Sequence, residues 1–241
     1  MLRKVIAFED DPALRKQLES VFFSIRKEYH LVATFPNPIG VIEELNEHQP
    51  DVVLMDLQML EEDDGLVALY KIKQTAPHIK VLVLTMFDAD QKIFNAICLG
   101  ADGYMLKSDF SSNQLPHLAM RKSLATIFDG GAYLTPSVAR QIMKLFMDQS
   151  IGERMKRVTD RFQLIFQKDI NRQKFRDAGL TRSQTAVLEK IIDGKTSAEI
   201  GTDLDITENT VNSHIRAIYA TLGVHSRATV IKKMMEHKGH I

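Results

Sequence analysis

The first 130 residues alternate between short apolar runs and longer segments with helical periodicity. The strand patterns lie at residues 4–8, 31–35, 51–56, 80–85 and 103–106. The helical patterns lie at residues 12–27, 39–48, 65–75, 89–99 and 111–128. Three of the strand patterns are nearly continuous apolar runs, which are typical of parallel strands buried on both faces. The alternation predicts an α/β domain over residues 1–130, with a five-stranded parallel sheet and a flavodoxin-like (βα)5 fold.

Residues 131–178 follow a Gly-Gly pair and are predicted to form a helical linker. Apolar residues recur there at alternating spacings of four and three, namely Ile151, Met155, Val158, Phe162 and Ile165. This stripe spans about two heptads, fewer than the ~3–4 that indicate a coiled coil. We therefore favour a helix that packs on the chain's own domains over a helix that joins two chains.

Residues 179–241 have only helical patterns. Thr181 and Gln184 have the spacing of a capping box, which opens the first helix. A short helix at residues 197–204, a tight turn and a longer helix at residues 208–222 follow, and residues 227–237 form a fourth. This order predicts an all-α four-helix domain that contains a helix-turn-helix.

The charge is distributed unevenly along the chain. Residues 1–130 carry 13 Lys and Arg against 19 Asp and Glu, a net charge of −6, whereas residues 131–241 carry 18 against 12, a net charge of +6. An acidic half suits cation chemistry and a basic half suits a polyanion. The basic excess lies mainly before residue 179, so charge alone does not establish that the last helices bind DNA.

The remaining composition favours a cytoplasmic protein. Cys98 is the one cysteine, which excludes an intramolecular disulfide and fits a reducing compartment. The first residues lack the pattern of a signal peptide, and no apolar run reaches the ~20 residues of a membrane span. We therefore expect no membrane partner.

Polar residues stand where the predicted strands end. Glu9 and Asp10 follow the first strand, Asp56 ends the third, Thr85 ends the fourth and Lys107 follows the fifth. Because ligands of open parallel sheets bind beyond the carboxyl ends of the strands, these side chains are expected to share one crevice.

This set of side chains suits phosphoryl transfer. Three neighbouring carboxylates repel one another, and a divalent cation that prefers oxygen ligands, such as Mg²⁺, would hold them ionised. Asp56 could then act as a nucleophile toward phosphorus and form an acyl phosphate. Lys107 would offset charge on the phosphoryl oxygens, and Thr85 would donate a hydrogen bond to one of them.

Each residue of this set also has a structural explanation. The Asp10-Asp11-Pro12 segment could simply cap a helix, Thr85 could be an ordinary strand end and Lys107 could be solvated. Asp56 is harder to explain in this way, because an unpaired charge that closes an apolar strand is costly. Together the five residues favour the functional interpretation.

The segments EDDP, DVVLMDLQM, VLVLTMFD and GADGYMLKS resemble the receiver domains of two-component response regulators of the NarL/FixJ class. The resemblance implies a sensor histidine kinase as partner and Asp56 as phosphoacceptor. It also implies Mg²⁺ bound by Glu9, Asp10, Asp56 and the main-chain carbonyl of Gln58, and it implies Thr85 and Tyr104 as switch residues, with Lys107 beside the phosphoryl group.

The receiver segment departs from the family in two places. Glu9 replaces the more usual aspartate of the acidic pair. Leu60 stands where the family usually has proline, and the strongly acidic loop at residues 60–65 is one residue longer than usual. These departures put the local loop geometry in question but remove no reactive group.

Residues 179–231 resemble the LuxR-type helix-turn-helix, notably at Thr210-Val211-Asn212-Ser213-His214 and at Leu222-Gly223-Val224. The resemblance implies that residues 208–222 form the recognition helix in the DNA major groove. Arg216 can then read guanine and Asn212 adenine. The candidate DNA contacts are Asn209, Thr210, Asn212, Ser213 and Arg216. Asn212 and Thr221 stand where the family often has lysine, which lowers the electrostatic part of binding.

The sequence thus predicts a response regulator in which phosphorylation of Asp56 changes conformation and dimerisation and controls sequence-specific binding of double-stranded DNA. Its only enzymatic chemistry would be its own phosphorylation and dephosphorylation. One rival is a phosphorylation-gated interaction protein whose helical domain has lost DNA binding. Another is a phosphatase, which is disfavoured because Gln58 occupies the place of its usual second acid.

Overall fold

The computed structural model describes residues 2–60, 63–86, 90–111, 115–146 and 150–236. It contains two compact units, Met1–Phe166 and Gln167–Ile241. Residues 61 and 62 of the unusual acidic loop lie outside the described residues, as do residues 89, 112–114 and 237 of the predicted helices. Among the described residues, no helix combines the length and apolar character that a membrane span needs.

The first unit is built on one parallel sheet. Its strands are β1 (Arg3–Phe8), β2 (Tyr29–Phe35), β3 (Val52–Met55), β4 (Lys80–Thr85), β5 (Gly103–Leu106) and β6 (Tyr133–Leu134). The strand order is β2-β1-β3-β4-β5-β6, and every neighbouring pair is parallel. The five predicted strands are confirmed, but the sheet gains a sixth. β6 was not predicted, because two residues are too few to show the hydrophobic periodicity of a strand.

The helices from residue 12 to residue 177 are, in chain order, α1 (Pro12–Ser24), α2 (Val41–His48), α3 (Asp64–Thr75), α4 (Asp90–Cys98), α5 (Lys107–Ser111), α6 (Pro116–Phe128), α7 (Pro136–Phe146) and α8 (Ile151–Asp177). The helices predicted over residues 12–27, 39–48, 65–75 and 89–99 correspond to α1, α2, α3 and α4, whereas α6 begins only at Pro116. The prediction of one helix over residues 111–128 is therefore wrong. Pro116 suits only a first helical turn, because proline lacks the N–H that an interior position needs.

Both faces of the sheet are buried. Alternate residues of β1 enter two different cores, Val5 and Ala7 on one side and Ile6 and Phe8 on the other. Helices α1 and α6 contribute to the first of these cores, and α2, α3, α4, α7 and α8 to the second. This double coverage explains why the strands are continuous apolar runs.

The first part of α8 packs on the sheet unit. Val158 and Phe162 lie in the core that α3 and α4 also line, and the Phe162 side chain is 1% exposed. Its ring lies 6.4 Å from that of Tyr70 in α3. The interpretation that the apolar stripe packs on the chain's own fold is thus confirmed for these residues.

The second unit contains the predicted helices α9 (Arg182–Ile192), α10 (Ser197–Leu204), α11 (Glu208–Leu222) and α12 (Arg227–Glu236). Thr181 and Gln184 form the predicted capping box, and Asp205 makes the tight turn after α10 with a left-handed φ of 53°. Its core is formed by Phe175, Leu180, Val187, Leu188, Ile191, Ile200, Val211, Ile218, Leu222, Val224 and Val230.

Candidate functional site

The predicted convergence at one edge of the sheet is confirmed by the strand order. β3 lies between β1 and β4, and β5 pairs with β4, so Glu9, Asp56 and Lys107 each follow the end of a strand in one parallel sheet. Thr85 pairs in register with Leu106, the residue before Lys107. Residues that are far apart along the chain therefore meet at the carboxyl ends of the strands.

A buried ion-pair triad forms the centre of the site. Lys107 Nζ donates to Glu9 Oε1 at 2.7 Å and to Asp56 Oδ2 at 2.6 Å. Glu9 is 2% exposed, Asp56 4% and Lys107 7%. The second oxygen of Asp56, Oδ1, accepts a hydrogen bond of 2.6 Å from the N–H of Leu57. Both oxygens of the candidate nucleophile are thus engaged and oriented.

Asp10 completes a group of three carboxylates. One carboxylate oxygen from each of Glu9, Asp10 and Asp56 lies within 4.8 Å of the other two. Asp10 is exposed, which leaves one side of the group open to solvent. Carboxylate oxygens with access to water are the donors that Mg²⁺ prefers, so the donor set fits that ion.

Burial and charge control the protonation of the triad. Burial raises the pKa of Glu9 to about 7, although the hydrogen bond from Lys107 opposes that rise. Burial alone would lower the pKa of Lys107, but its hydrogen bonds to Asp56 and Glu9 outweigh that effect and leave the pKa raised. Lys107 therefore stays cationic, while Glu9 exchanges a proton near neutral pH.

The other predicted residues of the receiver site differ in exposure. Thr85 is buried where β4 ends, and Tyr104 is buried in the core beside α3 and α4. Gln58 is exposed, and its N–H lies 3.5 Å from Asp56 Oδ1. Thr85 thus lies beside Lys107 across the β4–β5 pair, and Gln58 lies two residues after Asp56. The Tyr104 side chain, in contrast, is part of the core.

Two charged residues next to the acidic pair have structural roles. Asp11 caps α1 by accepting the N–H of Ala13 at 2.8 Å, so its carboxylate has a structural partner. Arg15 Nη1 donates to the carbonyl oxygens of Glu9 at 2.5 Å and Asp10 at 2.9 Å. Sequence reasoning missed Arg15, because an arginine in an amphipathic helix shows no sign of its backbone acceptors.

The start of α3 is fitted against the backbone of Asp56. Asp64 accepts hydrogen bonds from the N–H groups of Met59 at 3.2 Å and Leu60 at 2.9 Å. A Cβ atom on Gly65 would lie only 2.0 Å from the carbonyl oxygen of Asp56. The segment that leaves Asp56 is therefore held by α3, and only glycine fits at residue 65.

Helix α11 separates a buried face from an exposed one, as its periodicity predicts. Val211, Ile218 and Leu222 are buried and Ile215 is partly buried. The five candidate DNA contacts lie away from this stripe, with Asn212 half-buried and Asn209, Thr210, Ser213 and Arg216 exposed.

Three of these candidate contacts already have protein partners. The Thr210 and Thr207 hydroxyls lie 2.8 Å apart, and Ser213 donates to the carbonyl of Asn209 at 3.0 Å. Ser197 donates to Asn212 Oδ1 at 2.9 Å, which joins α10 to α11. Arg216, the fifth candidate, is a long cationic side chain on the exposed face of α11.

Comparison with known families agrees with both halves of the fold. Residues 5–119 match the response regulator receiver domain, and residues 178–234 match the family described as bacterial regulatory proteins, luxR family. The two matches cover most of the chain, which belongs to the response regulators of the NarL/FixJ type. It is therefore a transcription regulator in which a receiver domain is joined to a LuxR-type helix-turn-helix.

Individual relatives match the chain over nearly its whole length. The oxygen regulatory protein NreC of Staphylococcus epidermidis is 26% identical over 233 residues, 97% of each chain. A structure of the Salmonella typhimurium response regulator RcsB has a TM-score of 0.52 at 20% identity and covers 97% of this chain and 98% of that one. A structure of two RcsB dimers bound to two parallel DNAs has a TM-score of 0.53 at 20% identity, covering 96% of this chain and 97% of that one. At this identity the structural likeness shows a shared fold.

Proposed function

We propose that this response regulator accepts a phosphoryl group on Asp56 from a sensor histidine kinase and thereby controls DNA binding by α11. The observation that carries the proposal is the buried contact of Lys107 with both Glu9 and Asp56, with the Asp10 carboxylate alongside. The domain limits that go with it are 1–130 for the receiver, 131–178 for the linker and 179–241 for the output domain. A cytoplasmic location fits a partner kinase and a DNA target.

In the proposed reaction, an oxygen of the Asp56 carboxylate forms a bond to the phosphorus of a phosphohistidine. The P–N bond of the donor breaks, and the imidazole nitrogen leaves with the electron pair and takes up a proton. Lys107, which already touches Asp56 Oδ2, keeps its ammonium beside the new phosphoryl oxygens. The Thr85 hydroxyl donates a hydrogen bond to one of them. The ammonium of Lys107 and the orientation of the Asp56 carboxylate are set before the donor binds. Positioning of these groups therefore supplies most of the catalysis.

Mg²⁺ would be held by Glu9, Asp10, Asp56 and the main-chain carbonyl of Gln58, and it would neutralise charge that builds up on the phosphoryl oxygens. Loss of the phosphoryl group follows when water attacks phosphorus and regenerates the Asp56 carboxylate and inorganic phosphate. The protein thus catalyses only its own phosphorylation and dephosphorylation.

The output step is proposed to be insertion of α11 into the major groove by two chains that pair on activation. The RcsB dimers on DNA support this step for a protein of the same fold. Arg216 is proposed to read guanine and Asn212 adenine. Asn209 and Ser213 are exposed on the same helix and would also face the groove, whereas Thr210 is proposed to contact a phosphate. Thr85 and Tyr104 would carry the change at Asp56 to the receiver surface.

The proposal is tested by fluorescence anisotropy with a labelled duplex selected from a random-sequence pool. Acetyl phosphate with Mg²⁺ is expected to tighten binding about 5- to 150-fold, the range of a typical coupling free energy. Equal affinity with and without the donor contradicts phosphorylation control. Absence of salt-sensitive duplex binding in either state favours the rival, an interaction protein that does not bind DNA.

Arg216→Ala is expected to reduce discrimination between the selected duplex and an unrelated one by about 1–3 kcal/mol, because a bidentate guanine contact is lost. Anisotropy titrations with both duplexes measure this difference. Arg182→Ala is the control, since it removes an equal charge at the start of α9. It should weaken both duplexes alike or neither. Unchanged discrimination in Arg216→Ala would remove this residue from base recognition.

Arg15→Ala is expected to weaken Mg²⁺ binding roughly tenfold, as for other residues that orient metal ligands. Loss of a nearby positive charge by itself would strengthen Mg²⁺ binding, so a decrease reports positioning of Glu9 and Asp10. Isothermal titration calorimetry with Mg²⁺ measures the effect. Lys16→Ala, an exposed neighbour on α1, serves as control. An affinity in Arg15→Ala equal to or above that of wild type would show that Arg15 has no positioning role.

Mg²⁺ affinity is expected to rise with pH up to about 7 and to level off above it. The pKa of Glu9 is raised to about 7, so below that pH the free site holds a proton that Mg²⁺ must displace. Proton competition of this kind changes the affinity by up to about tenfold per pH unit. Titrations between about pH 5.5 and 8 measure it. Glu9→Gln should bind more weakly with a flatter pH profile, and an affinity in wild type that is constant with pH would contradict the assignment.

A further inference from the structure

Asp63 forms ion pairs with basic side chains from two different helices. Its carboxylate lies 2.7 Å from Arg161 Nη2 of α8 and 3.4 Å from Lys92 Nζ of α4. Asp63 is the residue before α3, and its side chain makes no capping hydrogen bond there. The carboxylate therefore serves the contacts with α4 and α8 rather than the start of its own helix.

The same residue lies on the segment that leaves Asp56. The next two residues, Asp64 and Gly65, tie the start of α3 to the Met59 and Leu60 amides and to the Asp56 backbone. Gly65 packs closely on the Asp56 carbonyl, because a Cβ atom at residue 65 would lie only 2.0 Å from that oxygen. A shift in the backbone after Asp56 therefore reaches Asp63 through close contacts.

Around the Arg161 contact, α8 rests on α3 and α4. Phe162 is buried against Tyr70 of α3, and the Phe166 ring meets Tyr70 edge-on at 5.6 Å. On α4, the Arg154 guanidinium lies over the Phe94 ring at 4.8 Å. The apolar contacts hold α8 in place, while the Arg161 side chain is 57% exposed, so its ion pair is weak enough to be exchanged.

We propose that Asp63 couples the phosphorylation site to α8, so that loading the site loosens the first part of this helix. The inference rests on the proposed function of Asp56. Loading the site shifts the backbone after Asp56, and the contacts of Asp64 and Gly65 with that backbone transmit the shift to Asp63 and weaken its ion pair with Arg161. Because coupling between two sites is reciprocal, Arg161 in turn opposes loading of the site. Since α8 continues to Asp177 in the second unit, its first part is a route by which the signal leaves the receiver.

Amide hydrogen exchange of the full chain tests the coupling, with beryllofluoride and Mg²⁺ as a phosphoryl mimic. Loading is expected to slow exchange at Leu57 and Gln58 and to speed exchange across residues 154–166. If Leu57 and Gln58 respond but residues 154–166 do not, the inference is overturned while the proposed function stands. If neither segment responds, the proposed function itself fails.

Arg161→Ala is expected to show faster exchange in residues 154–166 before any ligand is added. It should also bind beryllofluoride with Mg²⁺ roughly two- to fivefold more tightly, the range that a largely exposed ion pair provides. Arg157→Ala removes the same charge from an exposed position of α8 and should behave as wild type. Arg161→Lys keeps the charge at residue 161, so its exchange rates and beryllofluoride affinity should lie between those of wild type and Arg161→Ala. Equal beryllofluoride affinities in wild type, Arg161→Ala and Arg157→Ala would overturn the coupling.

Discussion

Replacement of Asp56 by asparagine is expected to lower phosphorylation by acetyl phosphate by at least about 10³-fold, because removal of a nucleophile eliminates the covalent step rather than slowing it. The phosphorylation-dependent gain in DNA affinity should disappear with it. Asparagine keeps the shape of the side chain, and its amide oxygen can still accept from the Leu57 N–H that now bonds Asp56 Oδ1. Phosphate-affinity electrophoresis measures the first effect and duplex anisotropy the second.

The loss should not arise from unfolding. Lys107 should keep its contact with Glu9, which is 2.7 Å long in the wild-type protein, so its buried charge is expected to stay paired. The Asp56 charge also contributes to the raised pKa of Glu9, so its removal favours ionised Glu9 beside Lys107. The amide NH2 of asparagine cannot accept the hydrogen bond that Lys107 donates to Asp56 Oδ2, so that one bond is lost. Urea denaturation should therefore give an unfolding free energy within about 3 kcal/mol of wild type, the scale of one hydrogen bond to a charged group.

The matched control for this variant is Asp11→Asn. Asp11 is a neighbouring acid whose carboxylate caps α1, and asparagine caps helices about equally well. Phosphorylation should therefore survive in Asp11→Asn. If Asp56→Asn were labelled as fast as wild type, the phosphoacceptor would be another residue, and the role of the triad would have to be abandoned.

The sequence was sufficient to predict the site because parallel strands impose a simple rule. Continuous apolar runs marked β1, β3 and β4, and the carboxyl ends of parallel strands must share one edge. Glu9, Asp56 and Lys107 could thus be brought together without any knowledge of side-chain contacts. The helix-turn-helix was equally accessible, since caps and turn residues such as Thr181 and Asp205 lie in short local patterns.

Other features depend on contacts between faces that no local pattern specifies. The stripe through Val158 and Phe162 predicted which face of α8 is apolar, but not that Tyr70 would lie opposite Phe162. The Asp63–Arg161 pair joins residues 98 positions apart, and neither residue differs locally from an ordinary surface charge. Likewise, the local pattern by itself could not divide the acids Asp10 and Asp11 into a metal candidate and a helix cap, and only the resemblance to receiver domains singled out Asp10.

Gly65→Ala is expected to lower the unfolding free energy of the first unit by about 3 kcal/mol and to impair phosphorylation. Helix propensity alone predicts the opposite sign, since alanine is favoured over glycine inside a helix by about 1 kcal/mol. The added Cβ, however, would lie 2.0 Å from the Asp56 carbonyl oxygen and 2.6 Å from the Leu57 Cα. Both are backbone atoms that no rotamer change can move, so the overpacking cost exceeds the propensity gain.

Gly152→Ala provides the control for Gly65→Ala, because Gly152 lies in the first turn of α8 and an added Cβ there meets nothing within 4 Å. It should leave stability unchanged or raise it by up to about 1 kcal/mol. Urea denaturation followed by circular dichroism, together with phosphate-affinity electrophoresis, compares the two variants. A Gly65→Ala protein as stable and as readily phosphorylated as Gly152→Ala would mean that α3 does not hold the Asp56 backbone. The mechanical link from the phosphoacceptor to α3, on which transmission of the signal depends, would then be absent.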